Sequence, residues 1–75
     1  MKDELTRNKV EYIVMFIAEF SKKHHLQEQE AYGYLKRYDV IDVIDKYYDA
    51  MHTQSFSDMV TDMTEYCQRK GGTLV

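Results

Sequence analysis

The sequence predicts an all-α fold, a compact bundle of about four helices over residues 3–23, 28–38, 40–52 and 56–70, in a single domain covering 1–75. Three observations carry that expectation. Apolar side chains recur at helical rather than alternating spacing along the whole chain. Proline is absent and the only glycines are Gly33, Gly71 and Gly72, so nothing resembles a linker or a low-complexity tract. The first and last periodic stretches are acidic where they begin and basic where they end, as the helix dipole favours.

The first helix is expected from about Asp3 to Lys23. On a 100° wheel Val10, Tyr12, Ile13, Val14, Phe16, Ile17, Ala18 and Phe20 cover about two-thirds of its circumference. That breadth predicts a central helix touched on several sides, with Met15 left in the wet strip. His24, His25 and Leu26 make a short connection. Neighbouring histidines on a helix point apart, so the pair is a poor metal motif, and no metal or cofactor is expected. The second helix carries Ala31, Tyr32, Leu35 and Tyr38 on one face and starts at a weak cap, Gln27 or Glu28. Gly33 in its middle reads as a close backbone approach. Asp39 is expected to cap the third helix with its carboxylate. Ser55 and Asp58 resemble a capping box for the fourth, whose apolar stripe includes Cys67, and Gly71-Gly72 ends it. Ser57, Thr61, Thr64 and Gln68 form an uncharged line that is either a helix contact or plain surface, and Thr73 to Val75 are expected to fray.

The third helix holds the charge. Tyr38 to Gln54 contains Asp39, Asp42, Asp45 and Asp49 against Lys46, a net of −3, which is the formal charge of the whole chain. Its wheel separates Asp42, Asp45, Lys46, Asp49 and His52 from an apolar half-circle that includes Ile41, Tyr47 and Tyr48. An apolar half-circle is wider than the ~100° stripe one neighbour covers, so its margins are open to a partner. Solvated charge is the ordinary reading of such a face. The sharper reading is a docking surface for a basic partner, formed by Asp42, Asp45 and Asp49 with Tyr48 as aromatic anchor and His52 at the helix end.

Other functions are disfavoured. The longest apolar run, Tyr12 to Ala18, is far short of the ~20 residues a membrane span needs. The amino terminus lacks the pattern of a secretion signal, and a single cysteine predicts a reducing, cytoplasmic setting. A helix-turn-helix DNA-binding regulator is the alternative, because the second and third helices are joined by a turn of two or three residues. It would place the most acidic helix against phosphates, so no nucleic-acid partner is expected. His52 beside Asp49 is the nearest thing to an acid–base pair, but on a solvated face nothing shifts it toward catalysis. The expectation is therefore a protein without enzymatic activity. Because one core of this size supplies only about 3–5 kcal/mol, self-association as a homo-oligomer is a further expectation.

The residues Glu30-Ala31-Tyr32, Leu35, Tyr38, Val40-Ile41, Tyr48-Asp49 and Met51-His52-Thr53-Gln54, with the Asp62 to Tyr66 segment, give a resemblance. From about Tyr12 to Lys70 the chain resembles a family of short bacterial all-helical proteins classed as a domain of unknown function. Proteins similar to this one are often encoded beside an ADP-ribosyltransferase-like protein. The resemblance implies an antitoxin-like or regulatory partner of that protein, and it brings no catalytic residue.

Overall fold

A computed structural model of the protein has, among the described residues, five helices in chain order: α1 (Lys2–His24), α2 (Glu28–Arg37), α3 (Val40–Lys46), α4 (Tyr48–Met51) and α5 (Phe56–Arg69). The structure describes residues 2–72, with side chains from residue 4 onward. The expected fraying of residues 73–75 lies outside the described residues, and the expected role of Asp3 at the first turn lies outside the described side chains. No strand occurs among those residues, and the all-α class is as the periodicity predicts. The molecule measures 41 × 22 × 21 Å, its long dimension set by α1, whose 23 residues rise about 1.5 Å each.

Tyr12, Phe16 and Phe20, four residues apart on α1, are the spine of the core. They meet Ala31 and Leu35 of α2, Val40 and Ile44 of α3, and Met59, Val60 and Cys67 of α5. Helices α2, α3 and α5 all pack against α1, the central helix touched on several sides that its apolar breadth predicts, although part of the apolar circumference stays bare. Val10 and Val14 remain 53% and 59% exposed, because none of the described helices lies over them. Met15 is exposed, as expected.

The helix ends show how sequence sets direction. At the end of α1 the Leu26 N–H reaches the Ser21 carbonyl at 2.9 Å and the His25 N–H the Lys22 carbonyl at 3.4 Å, the double bond pattern of a Schellman cap. His25 takes the left-handed conformation this needs, φ 57°. The turn drops Leu26 onto the core and starts α2, where the Glu30 carboxylate accepts the Gln27 N–H at 2.9 Å. The same cap closes α5, with Gly72 donating to Cys67 and Gly71 to Gln68 at 2.9 and 3.0 Å. Ser55 caps the start of α5 as expected, its hydroxyl accepting the Asp58 N–H at 3.1 Å.

Gly33 corrects its expectation. A Cβ built there meets nothing within 4 Å, so no close approach explains the residue. Gly33→Ala is expected to raise stability by about 0.5–1 kcal/mol, the helix-propensity difference. Urea denaturation checks this, and an unchanged or lower midpoint would refute it.

Asp39 does not cap α3 with its side chain. It follows Tyr38, which closes α2, and directly precedes α3, and it sits in the left-handed region at φ 66°. Cap residues whose carboxylate accepts N–H groups of the next turn are normally extended. The Asp39 carboxylate instead lies 3.6 Å from the Lys70 ammonium.

The expected helix 40–52 is broken in two. Tyr47 leaves helical geometry at φ −109°, ψ 22°, and the main-chain bonds resume only with Ala50 and Met51 donating to the Tyr47 carbonyl. No proline or glycine marks the break. What accompanies it is tertiary: Tyr48 turns edge-on to Tyr12 at 5.6 Å, Tyr12 stacks on Phe56 at 4.9 Å, and the Tyr12 hydroxyl donates to the Met51 carbonyl at 3.3 Å.

Candidate functional site

The five residues singled out from the sequence fall on both sides of the break. Asp42 and Asp45 belong to α3, Tyr48 and Asp49 to α4, and His52 closes α4. Asp45 lies 3.2 Å from the Lys9 ammonium of α1. Asp42 stands on a ridge, lining one groove with Val10, Ile13 and Ile41 and a second with Val43, Tyr47 and Tyr66. Asp49 borders a crevice shared with Leu5, Lys9, Asp45 and Tyr48.

Tyr48 and His52 are committed to local structure. Tyr48 is half-buried on Tyr12, and its other face carries the His52 imidazole, 4.6 Å away and 11° from parallel. His52 Nδ1 lies 2.8 Å from the Tyr48 carbonyl. A carbonyl only accepts, so Nδ1 holds the proton in this arrangement and the ring closes its own helix end. Tyr47 is the outward member of the tyrosine pair, 52% exposed, with the Lys46 ammonium 5.5 Å from its ring.

The structure thus brings Asp42 and Asp45 together on one groove between α1 and α3, of about 350 Å³, lined also by Leu5, Thr6, Lys9 and Ile41. Half of its wall is apolar and its rim is acidic. Further along α1 a shallower groove of about 300 Å³ is lined by Val14, Ile17, Glu28, Gln29 and Tyr32. Val10, Val14, Tyr32 and Lys9 were not among the sequence candidates. Their signal was present: Val10, Ile13, Val14 and Ile17 are spaced i, i+3, i+4, i+7, a complete helix face in its own right.

At the other end of α1 two members of the uncharged line of α5, Thr61 and Thr64, make a helix contact, while Ser57 and Gln68 are surface. Lys23 Nζ donates to Thr61 Oγ1 at 2.8 Å, and His24 Nε2 lies 2.9 Å from Thr64 Oγ1. Thr64 gives its single hydroxyl proton to the Val60 carbonyl at 2.7 Å, so His24 is the donor and its proton sits on Nε2. Burial lowers the His24 pKa, with the charges of Lys23 and His25 adding to the effect. The folded protein then binds fewer protons than the unfolded chain near pH 6.5. Stability from this group is full above that pH and is lost as pH falls through the lower folded value. The thermal midpoint is expected to fall between about pH 7.5 and pH 5.5, and His24→Gln to flatten that slope. An identical slope in the variant would show that His24 is not its source.

Deeper in the core, Tyr34 and Cys67 hold each other apart from solvent. The Tyr34 hydroxyl is buried without a hydrogen-bond partner of full geometry, beside a thiol that is a weak donor and acceptor. Burial, with Cys67 and Tyr38 nearby, pushes the Tyr34 pKa up to about 12. Burial also raises the Cys67 thiol, against the opposing pull of Tyr34 and Lys70, so the thiol stays protonated and chemically quiet.

No group of three or more His, Cys, Asp or Glu among the described residues could hold a metal ion, and no described helix is long and apolar enough to cross a membrane. No curated protein and no solved structure matches the chain. A family model does match, from Glu11 to Lys70, and so takes in Val14, Tyr32 and all five sequence candidates. The chain belongs to the family described as "Protein of unknown function (DUF3791)", matched over residues 11–70.

Proposed function

We propose that this chain is a non-catalytic, protein-binding domain whose docking surface is the groove between α1 and α3 with its acidic rim. The observation that supports it is the composition of that groove. Val10, Ile13 and Ile41 line it, and Asp42 and Asp45 stand at its edge, the apolar centre and polar border by which protein interfaces are built. The resemblance drawn from the sequence points to one partner, an ADP-ribosyltransferase-like protein encoded alongside, with this chain as its antitoxin-like or regulatory subunit. In that reading the domain works in the cytoplasm and does no chemistry of its own.

Asp42 is the residue to change. Asp45 already neighbours Lys9, so reversing it would disturb an internal pair, whereas Asp42 makes no ion pair among the described residues. Asp42→Lys is expected to weaken a complex with the neighbouring gene product by about 1–1.5 kcal/mol, roughly tenfold, and to reduce the salt dependence of binding. Calorimetric titration measures the affinity, and circular dichroism confirms that the variant folds. Failure of the native chain to bind that protein, or a complex indifferent to Asp42→Lys, would overturn the corresponding part of the reading.

A further inference from the structure

Helix α1 has two apolar faces and the fold covers one of them. Tyr12, Phe16 and Phe20 face the core, while Val10 and Val14 stand more than half exposed, flanked by Ile13 and Ile17, which are half-buried because one side of each packs on the core. Tyr32 of α2, 44% exposed, lies beside the same strip. The strip runs from Val10 in the α1–α3 groove to Ile17 in the α1–α2 groove. At about 1.5 Å per residue it runs for roughly 10 Å, the length of some two helical turns.

We infer that this strip receives one amphipathic helix of a partner protein, apolar at i, i+3, i+4 and i+7 and carrying Lys or Arg along its edges. The inference rests on the protein-binding reading above and specifies the chemistry of the partner. Spacing argues for a helix, because Val10, Ile13, Val14 and Ile17 form the seam into which such a side-chain pattern interdigitates. Charge decides between a second copy and a different protein. The borders of the strip carry Glu11, Glu28, Asp42 and Asp45 against Arg7, Lys9 and Lys36, whose ammonium lies 5.8 Å from the Tyr32 ring, a net of one negative charge on a chain whose formal charge is −3. A second copy in a two-fold pair would bring the same acidic borders against these, since such an interface is made of the same patch twice. A basic-edged helix meets them with opposite charge.

Lys9 sharpens the picture. Its side chain is only 27% exposed and reaches from α1 to Asp45, where it occupies the place a partner's cation would take. It is an internal competitor for the docking helix. Removing it leaves Asp45 open to the partner.

The test uses the full chain and two synthetic peptides of roughly 18 residues, about five helical turns, with the same leucine seam and either lysine or glutamate edges. Titration calorimetry and amide chemical shifts are expected to show the lysine-edged peptide binding with shifts at Val10, Val14 and Tyr32. The glutamate-edged peptide is expected to bind at least about tenfold more weakly. Val14→Asp, at an exposed position, is expected to leave the fold intact and to weaken the lysine-edged peptide by about tenfold or more. Lys9→Met is expected to tighten it about two- to threefold.

Equal binding of the two peptides, or binding indifferent to Val14→Asp, overturns the inference. So does a dimer in sedimentation that Val14→Asp dissolves, which would make a second copy the occupant. The two readings fail separately. Capture of the lysine-edged peptide without the neighbouring gene product would retain the groove chemistry and remove that partner. A complex with the neighbouring protein untouched by Val14→Asp would retain the partner and remove this groove.

Discussion

Phe20→Ala is expected to lower the free energy of unfolding by about 3–5 kcal/mol, the range for a buried phenylalanine cut back to alanine. Phe20 is fully buried and its ring is the hub of one aromatic cluster. Its centroid lies 6.2 Å from that of Phe16, 4.6 Å from His24 and 5.8 Å from Tyr34. Through Tyr34 the cluster reaches Tyr38 and the end of α5, so the cavity would open at the meeting point of three helices. A single core of this size holds only about 3–5 kcal/mol in total, and the variant is therefore expected to be largely unfolded at 25 °C. Phe20→Leu, which keeps most of the volume, is expected to cost roughly 1–1.5 kcal/mol and to stay folded. Urea melts followed by circular dichroism compare the three proteins. A cooperative transition in Phe20→Ala near the native midpoint would show that the hub is elsewhere.

Gly72→Ala is the second large effect, expected at about 1–3 kcal/mol of destabilisation through overpacking. A Cβ at Gly72 would lie 2.6 Å from the Tyr34 hydroxyl and 3.0 Å from both the Cys67 carbonyl and a Tyr38 ring carbon. One of those neighbours is main chain inside the α5 cap, and the rings are held in the aromatic cluster, so little can yield. Gly71 provides the contrast. Its Cβ would meet nothing, but its φ is +94°, so alanine there costs about 1 kcal/mol through backbone strain alone. The mechanism separates in a double-mutant cycle with Tyr34→Phe. Removing the hydroxyl deletes both the closest obstacle and a buried unpartnered polar group, a change that alone is near neutral or mildly stabilising. It is expected to recover part of the Gly72→Ala loss and none of the Gly71→Ala loss. Equal recovery at both glycines would mean that steric contact at Gly72 is not the cause.

The candidate site was legible in one half. Four aspartates and a lysine between Tyr38 and Gln54 mark α3 and α4 as the acidic side of the molecule by composition alone. Which carboxylates remain unengaged was not readable, because Lys9 and Asp45 are 36 positions apart and Lys70 and Asp39 31 apart, and only folding brings them together. The apolar half of the groove was hidden for a different reason. A wheel weighs every apolar residue of α1 alike, and it cannot tell the Tyr12–Phe16–Phe20 face, which the other helices cover, from the Val10–Val14 face, which they leave bare.

Local chemistry determined most of the helical pattern without help from the fold. The Ser55 cap, the Gly71-Gly72 ending of α5 and the basic end of α1 all follow from interactions within about five residues, where side chain and backbone compete over the same few groups. Tertiary structure decided what lies between those signals. It broke the expected third helix at Tyr47, where no breaker stands, in the company of Tyr12 contacts with Tyr48 and Met51. It put Asp39 in a left-handed turn that takes its carboxylate away from α3 and toward Lys70. It also chose the face of α1 that is buried, since three short helices can cover only part of a long one, and the part they leave carries the strip of Val10 and Val14.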